Sequence, residues 1–368
     1  MRICFLANEL SFKDGWGRYS ISLLKEITKK NKDCFVLLSK DSQKNLLPKI
    51  KKYKILPPLF AKRTKKIFSL LKNYKKIKKL IESADVVHSL IEPYSPIAYL
   101  VSKKKPFFVT LHGTYAVYPF RKFYSKLIYK KTYQMAKKLI CVSHFTQKKV
   151  LEEISLKNTV VINNGVDYSK FQRKKIERKK GSNKKTILGV GILIFRKGYH
   201  ISILAIVKVK EKYPNLKYII VGNQKNTSYL KYLKNLAKKY QIENNIIFLE
   251  GLSEKELIEK YYQSDLFLLT PTNVKEGKFE GFGQVYLEAG ACGIPVVGTK
   301  NCGAEDAIKD NSTGFLAEQD NVYDITNKIL KILDDKKLTK KMSQNGRKQA
   351  KKMDWQKIAK KYLNIYYE

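Results

Sequence analysis

Two carboxylates eight positions apart, Glu280 and Glu288, bracket the segment E-G-F-G-Q-V-Y-L-E, which runs on into A-G-A-C-G-I-P-V-V-G over residues 280–298. Eight residues is a little over two helical turns, so a helix through this segment lets both acids look toward one cleft. Gly281 and Gly283 leave the preceding loop bare, so a ligand can reach the backbone N–H groups of Gly281, Phe282 and Gly283. The positive end of the helix that follows favours an anion there. Ala289, Gly290, Ala291 and Gly293 keep that helix thin, and Pro295-Val296-Val297 reads as a buried strand.

Other residues with useful chemistry fall near the ends of strand-like runs. Gly15-Trp16-Gly17-Arg18-Tyr19 opens a helix, and Gly15 and Gly17 allow its backbone to approach a diphosphate. His112 follows the run Phe107–Leu111. Arg196 and Lys197 stand side by side after Thr186–Val190, and a guanidinium offers bidentate contacts to phosphate. Leu252 lies in Glu250-Gly251-Leu252-Ser253, just before a helical stretch, Glu254–Gln263.

The elements that must position these residues alternate along the whole chain. In the first half, strands are expected at Arg2–Leu6, Cys34–Leu38, Val86–His88, Phe107–Leu111, Leu139–Val142 and Val160–Ile162. Helices fit Arg18–Lys30, Thr64–Ile81, Phe120–Lys138 and Phe145–Glu153 between them. The pattern restarts after a basic polar stretch with strands Thr186–Val190, Tyr218–Val221, Ile246–Leu249, Leu266–Leu269 and Pro295–Val297, separated by helices. Alternation of this kind implies two parallel sheets with crossover helices, and ligands in such sheets lie beyond the carboxyl ends of the strands. The expected organisation is an N-terminal domain over 1–172, a hinge over 173–185, a second domain over 186–350, and a C-terminal helix over 351–368 that packs back toward the first domain.

Composition bounds the class. A chain of 368 residues with 43% apolar content, 17 Phe and 24 Tyr supports two cores and excludes wholesale disorder. The five cysteines are scattered and odd in number, as buried free thiols of a reducing cytoplasm would be. Nowhere do roughly 18 uncharged apolar residues run together, so neither a signal peptide nor a membrane span is expected. The net charge of +42 is uneven: residues 1–180 hold 42 Lys/Arg against 12 Asp/Glu, whereas the rest hold 32 against 20. Lys62–Lys79 carries nine basic residues and Arg121–Lys138 seven, neither with an acid. In the second, Phe120, Phe123, Tyr124, Leu127, Ile128 and Tyr133 recur at helical spacing beside the bases. This is the pattern of a helix able to lie on an anionic bilayer, or of a core-facing stripe backed by solvated lysines; the two segments together favour the bilayer.

Taken together, these motifs resemble glycosyltransferase family 4, retaining enzymes of the GT-B fold that move a sugar from a nucleotide diphosphate to an acceptor. The block from Glu280 resembles the family's E-x7-E signature, Gly15–Tyr19 its G-x-G-R-Y loop, His112-Gly113 its H-D or H-G pair, and Asn164-Gly165-Val166-Asp167 its N-G-V-D. The resemblance implies an α/β fold of two Rossmann-like domains with parallel sheets facing across a cleft. It implies that His112 and Glu280 meet the donor sugar, Glu288 the ribose, Leu252 the nucleobase side, and Gly15, Gly17, Gly281, Phe282 and Gly283 the rest of the donor. The family's G-R-L-x-x-x-K-G loop corresponds to Gly191–Gly198, where Ile192 stands at the usual Arg position; Arg196 is expected to take over beside Lys197.

A UDP- or GDP-hexose is then the donor and a glycan or lipid-linked molecule the acceptor, with no metal and no cofactor. The protein would be cytoplasmic and peripheral at the inner face of the membrane. Two alternatives share the sequence: a nucleic-acid-binding protein exploiting the charge, for which no specific recognition motif is evident, and a catalytically idle GT-B partner subunit.

Overall fold

The computed structural model describes every residue except 13, 44, 45, 48, 103, 104, 173–183, 275 and 276. The expected hinge therefore lies mostly outside the described residues. The chain divides into two compact units, Met1–Asn164 with Trp355–Glu368, and Gly165–Asp354.

Unit 1 runs β1 (Ile3–Ala7), α1 (Gly15–Lys30), β2 (Cys34–Ser39), β3 (Lys51–Leu56), α2 (Arg63–Glu82), β4 (Val86–Ser89), α3 (Ser95–Ser102), β5 (Phe107–Leu111), α4 (Thr114–Val117), α5 (Phe123–Met135), β6 (Lys138–Cys141), α6 (His144–Glu153) and β7 (Thr159–Val161). Its seven strands pair in parallel in the order β3-β2-β1-β4-β5-β6-β7. The central β1, Ile-Cys-Phe-Leu-Ala, is buried at every position, as a strand covered by helices on both faces must be.

Unit 2 runs α7 (Tyr168–Phe171), β8 (Thr186–Val190), α8 (Tyr199–Lys212), β9 (Lys217–Val221), α9 (Thr227–Lys239), β10 (Ile246–Leu249), α10 (Glu254–Gln263), β11 (Leu266–Leu268), α11 (Gln284–Cys292), β12 (Val296–Thr299), α12 (Ala304–Ala307), β13 (Gly314–Ala317), α13 (Val322–Asp334) and α14 (Lys336–Lys352). Its parallel order is β10-β9-β8-β11-β12-β13. The last helix, α15 (Trp355–Tyr367), belongs to unit 1 and packs on α1. There Tyr366 and Thr110 bond the two ring nitrogens of His88 at 2.5 and 2.9 Å, and Tyr19 links Thr110 to Tyr362 at 2.8 Å each. Burial holds His88 down to about 3, so it is a neutral structural residue.

The expected single helix Phe120–Lys138 is broken in the structure. Lys122 and Ala136 are extended, so α5 spans only Phe123–Met135, while Lys138 opens a strand that pairs with β5. Nor does this helix turn its apolar residues to the core: Tyr133 is buried, but Phe123 and Tyr124 are 71% and 74% exposed, and Leu127 and Ile128 are about half exposed. All five cysteines are free and buried. Among the described residues no helix is long and apolar enough to cross a membrane.

Candidate functional site

In unit 2 the loop after β8 and the loop before α11 meet. Arg196 and Lys197 form a short 3-10 turn that ends in Gly198, which adopts a left-handed conformation, φ 68°. A Cβ at Gly198 would stand 1.7 Å from the Thr270 carbonyl oxygen, so only glycine lets this turn seat against the end of β11. The Thr270 hydroxyl donates to the Gly198 carbonyl at 2.8 Å, and Thr272 N–H donates to the Arg196 carbonyl at 3.0 Å. Held in this way, Arg196 Nη1 and Lys197 Nζ both reach one oxygen, Glu280 Oε2, at 2.9 and 2.6 Å. Arg196 also donates to the Phe279 carbonyl at 3.2 Å. Glu280 is only 8% exposed. Burial pushes its carboxyl up, but the charges and hydrogen bonds of Lys197 and Arg196 outweigh it and hold the group at about 2.

Beyond Glu280, Gly281 and Phe282 are buried, and Gly283 (φ 83°) turns the chain into α11. The thinness of α11 has a partner: Gly290 lies against the backbone of Gly346 in α14. Glu288, on α11 and 7% exposed, accepts a 2.8 Å hydrogen bond from Tyr261 of α10, a residue not singled out in the sequence. Leu252 is half-buried before α10, whose start is fixed by the Ser253–Glu256 capping box. Glu280 and Glu288 thus have separate partners, a pair of cations and a phenol. Ile192, at the position where the family carries Arg, is 47% exposed.

In unit 1, Gly15 and Gly17 open α1, where Asp14 already caps Gly17 N–H at 2.7 Å. A Cβ on Gly17 would stand 2.3 Å from the Ser11 carbonyl oxygen. The anion at this helix start is therefore the chain's own. His112 donates from Nε2 to the Leu90 carbonyl at 2.7 Å and packs edge-on to Tyr19. Burial lowers it to about 4, leaving a neutral imidazole whose Nε2 carries the proton.

Its backbone N–H donates to Glu92 Oε1 at 2.5 Å, while Glu92 Oε2 is buried without a hydrogen-bond partner among the described residues. Burial raises Glu92 to about 7 against the opposing pull of the His112 N–H bonded to it and of the nearby Gly113 and Trp16 donors. Nothing in I-E-P-Y announces such a group. Its role follows from the loops after β4 and β5 lying side by side.

The two units match sequence models of two glycosyltransferase families. Residues 13–170 match the one described as Glycosyltransferase Family 4, and residues 170–349 the one described as Glycosyl transferases group 1. An uncharacterized glycosyltransferase of Methanocaldococcus jannaschii is 29% identical over 315 residues, 83% of this chain and 82% of its own. A GDP-mannose-dependent alpha-(1-6)-phosphatidylinositol monomannoside mannosyltransferase of Mycolicibacterium smegmatis is 29% identical over 190 residues, 50% of this chain and 49% of its own. In structure, Anabaena HepE in complex with UDP and glucose matches with a TM-score of 0.80 at 22% identity, over 100% of both chains.

Paired Rossmann-like units of this kind are those of the GT-B fold, and the matched sequence models make the chain a glycosyltransferase of that fold. Within that class, the chain belongs to glycosyltransferase family 4.

Proposed function

We propose that this enzyme moves a hexose from a nucleotide-diphosphate sugar to a glycan or lipid-linked acceptor, with retention at the anomeric carbon, as in cell-surface glycan or glycolipid assembly. The observation that carries the reading is the meeting of Arg196 and Lys197 at Glu280 in unit 2. Breaking a sugar–phosphate bond builds negative charge on the departing diphosphate, and two fixed cations in a buried site stabilise that charge most where it develops. Arg196 takes the place of the cation lost at Ile192.

In this reading Glu280 holds sugar hydroxyls, Glu288 the ribose, Leu252 borders the base, and the amides of Gly281, Phe282 and Gly283 support the donor. His112 is assigned the sugar contact that the family resemblance implies, and Gly15, where a Cβ would meet nothing within 4 Å, the close backbone approach; Gly17 is taken out of that role by Asp14 and the Ser11 carbonyl. The sugar–oxygen bond to phosphate breaks while the acceptor hydroxyl attacks from the same face, and the leaving phosphate takes the hydroxyl proton. A double displacement would instead need a carboxylate nucleophile about 5 Å from its acid partner.

The cationic pair makes a metal unnecessary, so no metal or other cofactor is part of the proposal. A GDP-mannose-dependent relative and a structural neighbour holding UDP and glucose support a sugar-nucleotide donor. The exposed apolar and basic residues of α2 and α5 support a peripheral position on an anionic cytoplasmic membrane face. A mass-spectrometric screen of hydrolysis and transfer with UDP-, GDP- and ADP-sugars, with and without EDTA, tests the reading. Turnover of one donor in EDTA is the expected result; none with any donor would overturn it.

A further inference from the structure

Unit 1 contains a cavity of about 440 Å³ that the donor chemistry leaves unused. It is walled by the Pro57–Phe60 segment after β3, by Trp16 at the start of α1, by Tyr115 and Tyr118 after β5, and by Lys66 and Leu70 of α2. Its size is that of a site for a small organic ligand. A sugar would need several convergent hydrogen-bonding groups, and this wall offers few of them. Prolines and aromatic rings dominate it, and the Tyr94 hydroxyl is spent on the Pro57 carbonyl at 2.8 Å.

The mouth is apolar as well. Phe60 is 80% exposed, and Tyr115 and Tyr118 are nearly half exposed, so greasy surface stands in water around an apolar opening. Lys66 is the one charged residue of the lining among the described residues, and its helix carries no acid between Lys62 and Lys79.

We infer that this cavity receives the apolar chain of an amphiphilic acceptor whose phosphate lies at Lys66. The inference rests on the proposed transfer reaction and narrows its acceptor to a phosphate-bearing lipid. The apolar wall takes the chain out of water, and Lys66 meets the anionic head at the rim. A wholly polar glycan gains nothing from such a wall.

Trp16 makes the site readable. It lines the cavity, packs on Tyr115 with ring centroids 4.7 Å apart, and is one of only two tryptophans; the other, Trp355, is buried on α15. Dodecyl phosphate titrated into the full chain, below the concentration at which it forms micelles, is expected to change tryptophan emission saturably. Maltose and inorganic phosphate should leave the emission unchanged. Trp16→Phe should abolish the response.

Lys66→Glu, a substitution on a half-exposed side chain, should weaken dodecyl phosphate about tenfold and leave decanol binding unaltered. Leu59→Glu should weaken both. Circular dichroism and UDP calorimetry on each variant show whether the fold and the donor end remain intact. A response to maltose but not to dodecyl phosphate overturns the inference, as does an equal response of wild type and Leu59→Glu. If the wild type turns over a sugar nucleotide yet ignores dodecyl phosphate, this inference fails while the transfer reading stands. If no sugar nucleotide is bound or turned over, the transfer reading itself fails.

Discussion

Lys197 Nζ stands 2.6 Å from Glu280 Oε2, the oxygen that Arg196 Nη1 also reaches at 2.9 Å, so one buried carboxylate neutralises part of the charge that the proposed reaction would turn on a diphosphate. Replacing it by Gln keeps the shape and an acceptor oxygen but leaves both cations uncompensated. Glu280→Gln is therefore expected to bind UDP at least as tightly as wild type in calorimetry, while transfer falls by about 10²-fold or more through loss of the sugar contact. Weaker UDP binding would show that the carboxylate serves the nucleotide end.

The same geometry sets the behaviour of the two cations. Arg196→Ala and Lys197→Ala should each depress kcat strongly. The double variant should lose less than the sum of the two in free energy, because both act on one leaving group. Additive losses would mean that the residues work separately, and a silent Arg196→Ala would require another cation to complete the pair.

Glu288 and Tyr261 allow a finer test. If Glu288 holds ribose hydroxyls, Glu288→Ala should cost about 1.5–3 kcal/mol of nucleotide affinity, the worth of a hydrogen bond to a charged group. Tyr261→Phe removes only the 2.8 Å bond that steadies the carboxylate and should cost less. Unchanged affinity in Glu288→Ala would remove that acid from the site.

Much of this architecture is legible from apolar runs alone, since strands buried on both faces, such as Ile3–Ala7 and Phe107–Leu111, leave little choice of period. Strand β3 is hidden in the sequence for a physical reason. It is an edge strand, Lys-Lys-Tyr-Lys-Ile-Leu, buried only at Ile55 and Leu56, and the lysines of its exposed and half-exposed first four positions hide the alternation. The break at Lys122 is hidden in the sequence because the apolar spacing of Phe120–Tyr133 continues through it. Motif resemblance reaches Lys197 and Glu280, which lie 83 residues apart, while Arg196 is reached by the chemistry of a guanidinium beside Lys197, since Ile192 stands at the family's Arg position. Glu92 and Tyr261 are invisible in the sequence because each acquires its partner only when loops or helices distant in the chain are brought side by side.

Glu92 also gives a pH signature. Its carboxyl rises from the ordinary 4.5 to about 7 in the folded chain, so between these values the folded state holds a proton that the unfolded state has lost. Its contribution to stability is complete below about 4.5 and declines as pH rises toward 7. The full decline is about 3 kcal/mol at roughly 1.4 kcal/mol per unit. The lowered histidines, His88 and His112, act in the opposite sense but are common to wild type and Glu92→Gln, so the difference between the two isolates Glu92. Urea unfolding should show Glu92→Gln gaining on wild type from pH 4.5 to 7, with no further gain above. A constant difference across that range would place Glu92's ionisation elsewhere.

Phe123, Tyr124, Leu127 and Ile128 of α5 and Phe68 and Leu71 of α2 are at least half exposed, beside bases that no acid interrupts. Apolar side chains inserted among lipid headgroups, with lysines above them, would hold the protein to an anionic bilayer. Each basic group contributes about 1 kcal/mol, so four engaged residues suffice at moderate salt. Vesicle flotation should recover the protein with anionic but not neutral vesicles. Changing Arg121, Lys122, Lys126, Lys130 and Lys131 to Gln should release it, whereas Phe123→Ser with Leu127→Ser should weaken recovery while leaving the charge intact. Equal recovery on both vesicle types, or indifference to the five Gln substitutions, would mean that this surface does not read membrane charge and would favour a soluble acceptor.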